Sequence, residues 1–267
     1  MINSKKSKLH SKKLYVIIAV NLEESKVMKT TYVLKVPINV TSYEEIITVI
    51  QKKIEQKQKY CIISINLNKI ILANEKNEMM PIIQSFDCFI PDGISVVRAN
   101  KELRGRITGI DLFQKICEEH EKIGAKIFLY GAQEEIVEAT KANLEEKYKN
   151  IQIVGLENGF VKDNNALIKK INDSKANVIF IAMGSPKQEK WIYENKDKLN
   201  VNVLMGVGGS FDIVSGKLKR APNWIRKLGI EWLYRMLKEP KRLKQVPLQI
   251  KYWLKLKKKE GVLNERN

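Results

Sequence analysis

"KIFLYGAQEEIVEATKANLEEKY" (126–148) changes its rhythm halfway. Its first seven residues form a short apolar run ending in Gly131 and Ala132, which suits a strand buried on both faces. From Gln133 onward, apolar residues recur at helical spacing among Glu and Lys, so an amphipathic helix follows. A buried strand feeding a helix is the unit of a parallel sheet.

The same unit repeats on either side. "YCIISIN" (60–66), "DCFIP" (87–91), "IQIVGLENG" (151–159), "ANVIFIAMG" (176–184) and "VNVLMGVGG" (201–209) read as strands. Helices are predicted over "LNKIILANEKNEMMPIIQSF" (67–86), "GISVVRANKEL" (93–103) and "GIDLFQKICEEHEKIG" (109–124). "TSYEEIITVIQKKIEQKQ" (41–58) opens on Thr and Ser as cap candidates, with Glu44 and Glu45 in its first turn. "TTYVLKVPINV" (30–40) reads as a β segment broken by Pro37. The expected architecture is α/β: a Rossmann-like, mostly parallel sheet with helices on both faces. We divide the chain into a basic tail (1–30), a catalytic core (31–215) and a basic helical appendage (216–267).

Charge is uneven along the 267 residues: 48 Lys and Arg oppose 30 Asp and Glu, for +18. From Lys217 to Asn267 there are 16 basic and four acidic residues, and the first 13 residues add five lysines. Basic ends attract polyanions: nucleic acid, anionic membrane or phosphorylated substrates. In the appendage, Arg226, Arg235, Lys238 and Arg242 interleave with Leu228, Trp232, Leu233, Met236 and Leu237, while Trp224, Tyr234, Tyr252 and Trp253 add aromatics. Such a pattern suits helices on an anionic membrane, a nucleic-acid surface, or a hairpin packed on the core with a solvated basic face. A nucleic-acid module would leave the loops described next without a task.

Cys61, Cys88 and Cys117 are widely spaced among apolar neighbours and read as buried thiols of a reducing compartment. No apolar run reaches spanning length. "LYVIIAV" (14–20) lacks a small-residue cleavage site, so export is not expected.

In an open parallel sheet the ligand crevice lies beyond the carboxyl ends of the strands. The unusual polar and glycine residues fall there: Ser64 and Asn66, Asp92, Gly131, Asn158 with Gly159, Gly184 to Gln188, and Gly208 to Asp212. Pro91-Asp92-Gly93 has two readings, an ordinary turn or a carboxylate presented at a strand end. "YGAQEE" and "MGVGGSFD" could cradle phosphate on backbone N–H groups or be plain tight turns. "GSPKQEKWI" (184–192) suggests a helix with Ser185 at its N-cap and Pro186 at N1, placing Lys187 and Gln188 in the first turn. No Asp-x-Asp dyad, His cluster or hydrolase triad is present in the sequence; His120 sits in a charged helix. No metal site and no cofactor are expected.

Together "SINLNKIILA", "IPDGISVVRA", "RITGIDLF", "FLYGA", "NGF", "MGSPKQEKWI", "GVGGSFDIVSGKLKRAPNWI" and "GIEWLYRMLKEPKRL" resemble the WecG/TagA/CpsF family, glycosyltransferase family 26, over about residues 33–245. The resemblance implies a metal-independent, inverting enzyme peripheral on the cytoplasmic face of the cell membrane. It would move a sugar from a UDP-sugar donor to an undecaprenyl-diphosphate-linked acceptor. For the TagA branch the transfer is of N-acetylmannosamine to the 4-hydroxyl of lipid-linked N-acetylglucosamine, in teichoic acid synthesis. Other branches imply N-acetylmannosaminuronic acid or a hexose instead.

By the same resemblance Asp92 is the general base, with Ser64 beside it where Thr is commoner, and Gln188 holds sugar or diphosphate. Asn66, Gly93, Arg98, Gly131, Gly184, Gly208 and Gly209 line the substrates. Asp212 reads uracil, and Phe160 stands where Tyr is commoner. Arg235 and Arg242 would fold over the site and grip the diphosphate; a third family arginine is Gln245 here. A core whose cover is displaced would expose apolar surface, which leaves a homo-oligomer open.

Overall fold

The computed structural model describes residues 28–222, 224–225, 231 and 246–264. The basic tail up to residue 27, including 14–20, and Arg235, Arg242 and Gln245 lie outside the described residues.

Six parallel strands form the central sheet: β3 (Tyr60–Ile65), β4 (Cys88–Pro91), β5 (Lys126–Gly131), β6 (Gln152–Glu157), β7 (Val178–Ala182) and β8 (Val203–Gly206), in the order β4-β3-β8-β7-β5-β6. After β3 the chain places β4 at one edge. It then crosses to build β5 and β6 at the other edge and returns to fill the centre with β7 and β8. Every residue of β7 and β8 is buried, as their unbroken apolar runs require.

Before the sheet, β1 (Thr30–Val33) and β2 (Val36–Asn39) form an antiparallel hairpin. The expected break at Pro37 is corrected: Pro37 pairs with Tyr32 inside β2, and the chain turns at Leu34 and Lys35, both at positive φ. The hairpin guards an edge, because Asn39 Oδ1 accepts the Phe89 N–H at 2.7 Å.

Helices cover both faces. One layer holds α1 (Tyr43–Glu55), α5 (Gly109–Glu118), α6 (His120–Ile123), α7 (Glu134–Lys147) and α10 (Ser210–Val214). The other holds α2 (Leu67–Glu75), α3 (Met79–Gln84), α4 (Ile94–Arg98), α8 (Asn164–Asp173), α9 (Lys187–Asn195) and α11 (Val246–Asn264). Alternation along β3 sends Cys61, Ile63 and Ile65 to the second layer and Tyr60 and Ile62 to the first. Phe113 of α5 meets Phe180 of β7 edge to face, with centroids 4.5 Å apart.

Local chemistry fixes the boundaries. Ser42 and Glu45 close a reciprocal capping box on α1. Three predicted helices are divided or shorter than expected, among them 109–124, which breaks at Glu119. The 67–86 stretch divides at Lys76, and the 93–103 stretch ends at Ala99, after which Asn100 accepts the Glu102 N–H and donates to Thr31 Oγ1. All three cysteines are free and buried, and burial pushes the Cys61 and Cys88 thiols up to about 12. His120 is buried with Nε2 3.1 Å from the Lys149 carbonyl, a structural contact. No described helix is long and apolar enough to cross a membrane.

Candidate active site

Asp92 follows the last residue of β4, and its N–H donates to the Ile65 carbonyl at 2.9 Å. Strand register sets Ser64 opposite Ile90 and Ile65 opposite Pro91, so Ser64, Asn66 and Asp92 emerge at one corner of the sheet. Gly93 packs there against Asn66: an added Cβ would lie 3.4 Å from the Asn66 Cα. Asn66 also caps α2, accepting the Lys69 N–H at 3.1 Å.

The third wall is the start of α5. A Cβ on Gly109 would stand 2.7 Å from Ser64 Oγ and 3.8 Å from Asp92 Oδ2, so only a glycine lets this helix start approach both side chains. Thr108 caps the helix by accepting the Asp111 N–H. The Gly109 N–H points at the Asp92 carboxyl, placing a backbone donor and the positive helix end beside the acid.

Asp92 is one-fifth exposed, and its carboxyl lies deep among protein atoms. Burial raises its pKa above the usual carboxylate range and prevails over the downward pull of Arg106, the Gly109 N–H and Lys69; the Glu231 charge adds to the rise. Arg106 Nε donates to the Asp92 main-chain oxygen at 2.7 Å, while its Nη2 sits 3.7 Å from Asp92 Oδ1 and 3.2 Å from Glu231 Oε2.

A second cluster stands over the end of β8. Lys69 Nζ pairs with Glu189 Oε1 at 2.9 Å, and both side chains are at least 95% buried. The same Oε1 accepts from Gln188 Nε2 at 2.9 Å, and Gln188 Oε1 accepts the Gly208 N–H at 2.9 Å. Glu189 Oε2 is buried with no hydrogen-bond partner among the described residues. Gln188, 4% exposed, is engaged at both ends of its amide and braces the glycine turn after β8. The N-cap expectation nearby is corrected: the Ser185–Pro186 peptide is cis, α9 begins at Lys187, and Pro186 holds the cap position.

The third part of the crevice is backbone. Gly131 has φ +116°, and a Cβ there would meet the Ala182 oxygen at 2.5 Å, an impossible contact. Gly159 donates to the Ala132 carbonyl at 2.8 Å, closing the ends of β5 and β6 together. Phe160, next along, is 71% exposed, with its N–H held by Asn158 Oδ1. Gly184 and Gly208 both take positive φ, Gly209 precedes α10, and Asp212 lies in that helix's first turn. Arg98 is exposed in the last turn of α4.

Of the sequence-predicted residues, then, Ser64, Asn66, Asp92 and Gly93 share one corner, Gln188 touches Gly208, and Gly131 abuts Gly159 beside Phe160. Sequence reasoning missed Lys69, Arg106, Gly109, Glu189 and Glu231. Each lies within or beside a quoted motif, but an ion pair between residues 120 positions apart has no periodic signature.

Besides Glu231, other described residues of the C-terminal segment also touch the core. Arg220 makes a bidentate pair with Asp111 at 2.5 and 2.9 Å. Farther on, α11 lays Gln249, Tyr252 and Leu256 on the core; Tyr252 is buried and its hydroxyl donates to Glu75 Oε1 at 2.9 Å. The opposite face shows Ile250, Trp253 and Leu254 to solvent, with Lys257 4.2 Å over the Trp253 ring.

A carboxylate thus stands at a corner of the parallel sheet beside a cation, with glycine turns at the neighbouring strand ends. The pattern of the glycosyl transferase WecG/TagA/CpsF family matches residues 31–261, and the chain belongs to that family of glycosyltransferases. It is 34% identical over 211 residues, 78% of this chain and 82% of the relative, to the N-acetylglucosaminyldiphosphoundecaprenol N-acetyl-beta-D-mannosaminyltransferase of Bacillus subtilis (strain 168).

Proposed function

We propose that this enzyme transfers N-acetylmannosamine from UDP-N-acetylmannosamine to the 4-hydroxyl of N-acetylglucosaminyl-diphospho-undecaprenol, inverting the anomeric centre without a divalent metal. The acceptor and the transferred sugar follow from the similar Bacillus subtilis enzyme. The observation that carries the chemistry is Asp92, a carboxyl of raised pKa held at the sheet corner against Ser64, Arg106 and the start of α5.

Asp92 accepts the proton of the acceptor hydroxyl as that oxygen attacks the anomeric carbon. The bond to the UDP oxygen breaks on the opposite face, so a single displacement inverts configuration. Burial strengthens the base: its raised pKa narrows the gap to an alcohol, and proton transfer comes late in the displacement. Ser64 Oγ, against the same Gly109 backbone, positions the acceptor hydroxyl. The glycine turns at Gly131, Gly184 and Gly208–Gly209 line the nucleotide, Phe160 offers a face for stacking, and Asp212 reads uracil. Gln188 acts by bracing the Gly208 turn. Arg235 and Arg242 supply charge to the leaving diphosphate, where negative charge grows in the transition state.

The exposed Ile250, Trp253, Leu254 and Lys257 face of α11 rests on the anionic bilayer that holds the lipid acceptor. Incubating the full chain with a panel of UDP-sugars and a GlcNAc-diphospho-lipid analogue, with and without a chelator, tests the reading. Turnover of UDP-N-acetylmannosamine at an undiminished rate in chelator is expected. Turnover of another donor alone, or its loss on chelation, overturns it.

A further inference from the structure

The Lys69–Glu189 pair joins two parts of the crevice. Lys69 stands in the first turn of α2, whose cap Asn66 belongs to the Asp92 corner, and Glu189 stands in the first turn of α9, which follows β7. Between β3 and β7 lies β8, so the pair spans the strand that leads to Gly208. Both side chains are at least 95% buried. Two buried charges add little stability over an apolar pair of the same volume, so the fold alone does not account for them.

The pair does account for the orientation of Gln188. Glu189 Oε1, paired with Lys69, acts only as an acceptor, and it takes Lys69 Nζ and Gln188 Nε2 each at 2.9 Å. The Gln188 amide must then turn its own oxygen away from Glu189, and that oxygen accepts the Gly208 N–H at 2.9 Å. The Gln188 N–H donates to the Gly184 carbonyl at 3.0 Å, so one residue ties both glycine turns. Gly206 leaves the space for this: a Cβ there would lie 2.5 Å from Gln188 Nε2.

We infer that Lys69 and Glu189 are positioning residues for the nucleotide: they fix the Gln188 amide in the one orientation that holds the Gly184 and Gly208 turns in place for UDP. The inference rests on the reading of those turns as the nucleotide site. Because α2 starts at the Asp92 corner, the same pair sets the nucleotide turns at a fixed place relative to that corner.

The test is calorimetry of UDP binding to the full chain. Binding is read rather than turnover because Lys69 also acts on Asp92, and its loss would disturb the base directly. Lys69→Met/Glu189→Met removes both charges at nearly constant volume. It should fold with stability near wild type and bind UDP about three- to tenfold more weakly. Wild-type affinity in this variant overturns the inference, since the pair then serves packing alone. Lys69→Leu/Glu189→Leu carries the same test should the first variant fold poorly. Adding Gln188→Met to either should cost no further affinity, because the pair acts through Gln188; a full additional loss overturns the inference. Gln188→Met alone separates the two failures. If it binds UDP like wild type, the nucleotide lies elsewhere and the reading of the turns falls with the inference. Weakened binding there, beside an unaffected pair variant, removes only the role of Lys69 and Glu189.

Discussion

The two ends of the parallel sheet are both rich in polar side chains and use them in opposite ways. At the amino end each polar group ties one loop to another. Asp87 Oδ2 accepts the Cys61 N–H at 2.7 Å, Asn177 bridges the Lys126 N–H and the Gly124 carbonyl, and Lys59 Nζ donates to the Lys196 and Leu199 carbonyls. These bonds join side chains to main-chain groups where the strands begin and in the loops beside them. At the carboxyl end charges face charges: Asp92 with Arg106 and Glu231, and Lys69 with Glu189, whose Oε2 has no hydrogen-bond partner among the described residues. One end is arranged for stability. The other holds buried charge at a cost in stability, and on the proposed reading it is the working end.

That contrast can be broken by exchanging the kinds of damage. Lys69→Met leaves the Glu189 charge buried and unpaired, so unfolding free energy should fall by about 3–5 kcal/mol. Denaturant titration checks this, and a loss below about 1 kcal/mol would mean that the site charges are no more costly than surface ones. Asp87→Ala at the opposite end removes one charge-assisted bond to a buried N–H and should cost about 1–3 kcal/mol. Turnover per folded molecule should stay at wild type; a fall in kcat would erase the division between the two ends.

Within the working end, Gly131→Ala forces a Cβ onto the Ala182 carbonyl. It should weaken UDP binding in calorimetry about tenfold or more while leaving the Asp92 corner intact. Unchanged UDP affinity would remove Gly131 from the nucleotide turn. The smallest effect is expected on the outer face of α11. Replacing Trp253 and Leu254 together with Ser should leave the melting temperature within a degree or two, since both side chains are about half exposed. Co-sedimentation with anionic vesicles should fall several-fold, and undiminished binding would place the membrane contact elsewhere.

The layout of the sheet was largely legible in the sequence because β3, β5, β7 and β8 are buried on both faces and read as unbroken apolar runs. The β1–β2 turn was not, because Leu34 and Lys35 adopt positive φ without the Gly or Asn that usually signals it. The place of Asp92 at a strand end was legible, because a lone acid follows an apolar run, whereas its role came only from the family resemblance. Its surroundings were hidden for a physical reason: Arg106 and Glu231 are 125 positions apart, and Lys69 and Glu189 are 120 apart. Pairing of that kind is set by topology, which brings strand ends together from all parts of the chain.

The most direct test replaces the acid at the working end with its uncharged isostere. Folding raises the Asp92 pKa, so the proton is held more tightly in the folded state. The stability this contributes is present below the unfolded pKa and is lost as pH rises through the folded pKa, and at neutral pH the ionised acid is a burden. Asp92→Asn should therefore melt no lower than wild type at neutral pH, bind UDP normally, and transfer sugar about a hundred- to ten-thousandfold more slowly. Near-wild-type transfer by this variant would contradict the account.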